Sequence, residues 1–103
     1  MSIIHIPFRD DMQERSLSGR KTATSRNQKY GDVGDIFRIR DGEFELIKVS
    51  RYTLEFVAKS KYRDEGFNSP EEFINIWKEI HYKLGWTPEK LIWFHEYRRM
   101  NND

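Results

Sequence analysis

Apolar and polar positions alternate along this chain with two periods, and the switches between them mark out its elements. Ile4, Ile6 and Phe8 fall on one side of residues 3–8, the period-two pattern of a strand. Residues 9–18 are polar, with Met12 and Leu17 as the apolar marks, and predict a short surface helix ending at Gly19. Two Gly-Asp pairs make turns of residues 27–35. Residues 36–40 and 43–52 read as strands joined at Asp41-Gly42, a type I′ hairpin signal. Phe37 and Ile39 alternate with Arg38 and Arg40, while Phe44, Leu46 and Lys48 oppose Glu45, Ile47 and Val49. Apolar residues on both faces are expected of a strand inside a small barrel.

The second half turns helical. Leu54, Val57 and Ala58 allow a turn or two of helix within residues 53–64. Residues 69–84 carry the strongest helix signal: Ser69 as N-cap, Pro70 at the first helical position and Glu72 completing a capping box. Phe73, Ile76, Trp77, Ile80 and Leu84 form its apolar stripe and Gly85 closes it. Residues 90–98, apolar and aromatic at first, predict a final strand, the alternative being a helix capped by Thr87-Pro88-Glu89. Residues 101–103 are expected to fray. The pattern adds up to one α+β domain over residues 1–103, a small, mostly antiparallel β-barrel flanked by two or three helices.

Composition narrows the class. Charged residues make up 34% of the chain and hydrophobic ones 37%, a thin core unless the 15% of aromatic residues supply the burial. No apolar run approaches the ~18 residues of a membrane span, and the N-terminus lacks the pattern of a signal peptide. Cysteine is absent, which excludes disulfides and thiolate chemistry and fits a cytoplasmic protein. The net charge of +1 hides an asymmetry: residues 1–63 hold 13 Lys/Arg against 9 Asp/Glu, and residues 64–103 hold 5 against 8. So mild a basic half suits a base, a nucleoside or a short RNA segment better than long tracks of duplex phosphate.

The chemistry concentrates in Gly19-Arg20-Lys21-Thr22-Ala23-Thr24-Ser25-Arg26, which packs three further cations and three hydroxyls behind a glycine. A core segment does not look like this, because buried Lys and Arg need partners. If the segment is extended, Lys21, Ala23 and Ser25 share one face and Thr22, Thr24 and Arg26 the other. If it turns at Gly19, Lys21 and Thr24 converge on one polar site. In order along the chain, this segment, Gly31-Asp32-Val33-Gly34-Asp35-Ile36, and Asp64-Glu65-Gly66-Phe67 with Ser69-Pro70-Glu71-Glu72-Phe73 resemble the motifs of the ASCH domain family, a branch of the PUA-like superfamily. The first matches its G-x-K-x-x-T-x-R signature, the second its Gly-Asp turn, the third the acidic-Gly-aromatic turn before its main helix.

The resemblance implies a PUA-like barrel and a cleft that recognises an RNA base or modified nucleoside. In relatives that hydrolyse N4-acetylcytidine, a Lys, a Thr and a Glu are catalytic, and Lys21, Thr24 and Glu65 match them, with Asp64 a rival for the acid. Ala23 and Ser25 depart from that pattern, where larger apolar residues are common. On general grounds Lys21 is either a solvated surface lysine or a base of depressed pKa beside a second cation, Arg20 or Arg26. Thr24 is either a loop-capping hydroxyl or a nucleophile. Glu65 is either a helix-flanking acid or the proton donor to a leaving amine. Arg26 can hold phosphate or pair with Asp35. Tyr30 and Phe67 can stack on a base or fill the core, and Arg38, Arg40 and Arg51 would extend the surface of an RNA binder. His5, His81 and His95 have no ligand spacing, so neither a metal nor another cofactor is expected. The competing functions are a non-catalytic RNA-binding module and a ribonuclease using the same cleft. The sequence leaves oligomeric state open, a monomer included.

Overall fold

The computed structural model describes residues 1–100, so the frayed end predicted at 101–103 lies outside the described residues. The elements run α1 (Asp10–Leu17), β1 (Ala23–Arg26), β2 (Ile36–Ile39), β3 (Gly42–Thr53), α2 (Leu54–Ser60), α3 (Pro70–Ile80) and β4 (Leu91–Arg99). Their strands make one antiparallel sheet in the order β1-β4-β3-β2, curled into a half-barrel of PUA-like type. β4 is central, and its alternation feeds two cores. Ile92 and Phe94 pack on one side with Ala23, Leu54, Val57, Ala58, Phe73 and Trp77. Tyr97 packs on the other with Ile6, Phe37, Ile39, Phe44 and Leu46. Burial of the Tyr97 phenol pushes its pKa up, and its hydroxyl is satisfied by Ser16 Oγ at 2.6 Å.

α2 and α3 each begin at a side-chain cap, and α1 begins after Arg9 without one. Thr53 caps α2 by accepting from the Phe56 N–H (3.2 Å), and Ser69 caps α3 by accepting from the Glu72 N–H (3.1 Å). The Glu72 carboxylate reaches back one residue further than a capping box requires, to the Asn68 N–H at 2.9 Å. α3 stops at Ile80, four residues before the end of its apolar stripe. His81 leaves helical geometry, its carbonyl takes the N–H groups of both Leu84 and Gly85, and Leu84 lies 61% exposed.

Three strand predictions change in detail. Residues 3–8 are not a strand: Ile3 makes one parallel bridge to Ile36, and Pro7, without an N–H, cannot prolong a ladder. Their alternation reports burial alone, with Ile6 fully inside. In the β2–β3 hairpin the two loop residues are Arg40 and Asp41, and only Arg40 has positive φ (53°), so this is no type I′ turn. Gly42 is instead the first residue of β3, where an added Cβ would lie 3.0 Å from Leu17 Cδ2 and 3.2 Å from Arg99 Nε. A bulge at Ile47 also shifts the inward positions of β3 from even to odd. Phe44 and Leu46 before it and Val49 after it pack on the same core, leaving Lys48 outside.

Candidate active site

β1 is an edge strand, and its free edge opens into a cavity of about 660 Å³. The polar wall is the β1 segment with the turn before α3, contributing Lys21, Thr24, Ser25, Arg26 and Glu65. The facing wall is apolar: Phe67 and, from α3, Phe73, Ile76, Trp77 and Ile80. Pro7 and Phe8 close one flank, with Tyr30 beside them.

Two carbonyls hold the turn, one against the β1 segment and one against α1. Asp64 C=O accepts from the N–H groups of Thr22 (2.7 Å) and Ala23 (3.0 Å), and Gly66 C=O accepts from Arg15 at 3.1 Å. Gly66 makes this approach possible. Its φ is +90°, and an added Cβ would sit 2.9 Å from Lys21 Cβ. The result sends Glu65 inward. Of the two rival acids, Glu65 is the buried one, while Asp64 is half-buried and works through its backbone.

Lys21 Nζ donates to Glu65 Oε1 (3.0 Å) and to the Glu65 carbonyl (3.2 Å), and Ser25 Oγ donates to Glu65 Oε2. Lys21 and Glu65 are each 3% exposed. This is the extended reading of the motif, with Lys21 and Ser25 on one face of the strand and both on one carboxylate. Burial pulls the Lys21 pKa below its ordinary value, an effect that Glu65 opposes and the nearby Arg26 and Arg15 reinforce.

The other face carries Thr24 and Arg26. Arg26 Nε donates to Thr24 Oγ1 (3.0 Å), and its guanidinium lies over the rings of Phe8 (4.9 Å) and Tyr30 (5.5 Å). Its predicted partner Asp35 is engaged elsewhere, accepting from the N–H groups of Ser2 and Asp32, which hold its pKa down. Arg26 has no carboxylate within salt-bridge distance among the described residues, whereas Arg9, also on the cavity wall, has Asp11 and Glu79.

Behind Thr24 sits His95, fully buried and absent from the predicted site. The Tyr30 N–H donates to its Nε2 (3.0 Å), and its Nδ1 lies 3.3 Å from the Thr24 carbonyl. That network assigns a neutral ring protonated at Nδ1, and burial holds its pKa below the usual histidine value. The strand pattern gave His95 no partner, since Tyr30 is 65 residues away. Ser25 was visible only as the residue sharing a face with Lys21.

The remaining sequence candidates fall at the margin or elsewhere. Arg20 stays outside the cavity lining and reaches Gly66 C=O and Asn68, each at 3.4 Å. Phe67 is both core and wall, with the Arg15 guanidinium 5.4 Å and Lys21 Nζ 5.9 Å from its ring centre. Arg38 and Arg40 line a separate hollow with His5 and Gln13, Arg38 paired to Glu43 and Arg40 bonded to Gln13. Arg51 stacks on Trp93 at 4.3 Å. No group of three potential metal ligands occurs among the described residues, and no helix there is long and apolar enough to cross a membrane.

No protein-family model matches the sequence, and no curated protein matches it significantly. Solved structures do. A hypothetical protein, PH0355, superposes with a TM-score of 0.72 at 15% identity, over 97% of this chain and 100% of its own. An ASCH domain from Lactobacillus crispatus JV V101 gives 0.62 at 15% identity, over 95% of this chain and 78% of that one. A mutant of the ASCH protein of Zymomonas mobilis gives 0.62 at 13%, over 93% and 67%. The protein therefore has the fold of ASCH-domain structures, as its motifs predict.

Proposed function

We propose that the cavity binds a nucleobase, as part of an RNA or a modified nucleoside, and hydrolyses an acyl amide on it, as in N4-acetylcytidine. The observation that carries this reading is the buried Lys21–Glu65 pair facing an open cavity beside an unengaged hydroxyl proton. Thr24 Oγ1 accepts from Arg26, so its own proton remains available to a base. Moving one proton from Lys21 to Glu65 turns the ion pair into a neutral amine and a carboxylic acid. These are the base and the acid that amide cleavage needs. The amine takes the Thr24 proton through a water in the cavity that both residues line, as the Thr24 oxygen attacks the acyl carbon. The acid protonates the departing exocyclic nitrogen, and water then hydrolyses the acyl-threonine to the free carboxylic acid.

Burial of Lys21 favours an enzyme over a pure binding module, which gains most from exposed cations. Arg38 and Arg40 support the same choice, because Glu43 and Gln13 already occupy them.

Incubated with N4-acetylcytidine, the protein is expected to release cytidine and acetate. Lys21→Ala, Thr24→Ala and Glu65→Ala should each lower turnover by roughly 10²–10⁴. A wild type that releases nothing, yet binds single-stranded RNA with steep salt dependence and loses affinity on Arg38→Ala or Arg40→Ala, is a binding module instead.

A further inference from the structure

Register decides which way each backbone group of β1 points. The Tyr97 N–H donates to the Thr22 carbonyl at 3.0 Å. With Thr24 opposite His95 and Arg26 opposite Trp93, the carbonyl of Thr22 and the backbone groups of residues 24 and 26 face β4, while the Thr22 N–H turns away to Asp64. Ala23 and Ser25 therefore turn N–H and C=O toward the free edge. Ala23 bears this out, since its N–H bonds outward to Asp64. Ser25 is the next residue of that orientation, and it lines the cavity. Its hydroxyl is committed to Glu65, but its N–H and C=O have no other partner among the described residues. A main-chain donor and acceptor left open in a cavity are a binding element.

The open edge is one residue long. Asp64 closes it at Ala23, and beyond Ser25 the Arg26 guanidinium reaches the Pro7 carbonyl at 2.6 Å. A peptide adding itself as a strand needs a run of ladder pairs. One residue suits a planar group with an acceptor and a donor side by side.

We propose that the main chain of Ser25 reads the edge of the base. Its N–H donates to a ring nitrogen and its C=O accepts from the adjacent exocyclic N–H, the pair that N3 and N4–H of cytosine present. The inference rests on the nucleobase reading of the cavity and adds which atoms do the reading.

The test is a titration of the ¹⁵N-labelled protein, with cytidine and N4,N4-dimethylcytidine as probes. Cytidine should move the Ser25 amide proton downfield. The dimethyl compound, which has lost the donor, should bind roughly tenfold more weakly. Ser25→Pro removes the N–H at an edge position that tolerates proline, while Ser25→Ala keeps it. The proline variant should bind cytidine roughly tenfold more weakly than the alanine variant. Cytidine binding that leaves the Ser25 amide unmoved, or equal binding by the two variants, overturns this inference and leaves the nucleobase reading standing. A wild type that binds neither nucleoside overturns both.

Discussion

On the β1 wall of the cavity, Lys21, Ser25 and Glu65 are between 3% and 8% exposed and each is hydrogen-bonded to another of the three. On the α3 wall, Ile76 packs against the core cluster that holds Phe73 and Trp77, and Ile80 remains 50% exposed. The first wall is fixed by directional bonds between groups that cannot be buried alone. The second is fixed by area, which is lost gradually. Chemistry needs the first kind of wall, since base and acid must keep their geometry within tenths of an ångström. Accommodation of differently shaped ligands needs the second.

The contrast breaks most sharply at the buried pair. Glu65→Leu leaves the Lys21 ammonium without its partner and should cost about 3–5 kcal/mol in urea unfolding. Lys21→Met combined with Glu65→Leu should recover most of that loss, because no lone charge remains. A double variant as unstable as the single would mean that the wall is held by something other than the pair. On the apolar wall, Trp77→Ala should cost about 3 kcal/mol, with the adjoining cavity giving its neighbours room to relax. Ile80→Ala should cost less than about 1 kcal/mol. A steep loss at Ile80 would make that wall as exacting as the other.

A graded effect, set by pH, separates the two walls further. His95 has a folded pKa below its ordinary 6.5, so in acid the unfolded chain protonates first. Stability is therefore complete above about pH 6.5 and falls as pH drops below it, by at most about 1.4 kcal/mol per pH unit. His81, on the cavity wall, shifts in the same direction through burial but is partly exposed and should contribute less. Thermal melts from pH 7 to pH 5 should show the slope, and His95→Asn should flatten it.

The readable parts of the chain were those whose signals are local. Ser69, Pro70 and Glu72 announce the start of α3 because capping involves neighbours within four residues. The end of α3 was misread because Leu84 continues the apolar period, and periodicity carries no information about the turn that His81, Leu84 and Gly85 make. Asp41-Gly42 marked the right hairpin for the wrong reason. A Cβ at Gly42 would crowd Leu17, Phe44 and Arg99, contacts that exist only after folding. In the site, Lys21, Thr24 and Glu65 were legible through their motifs, and all three line the cavity. The α3 wall was legible only as a helix stripe, because the same pattern serves a core or a pocket. His95 and the open Ser25 amide were invisible, since one depends on a residue 65 positions away and the other on register.

Gly66 also has a consequence in descent. Any side chain there must overcome a left-handed backbone and displace the Cβ at position 21. Every residue but glycine carries that Cβ, so exchanging Lys21 for another side chain does not free position 66. The glycine should therefore outlast the lysine among descendants of this chain. It records the shape of the turn, whereas the lysine records the chemistry.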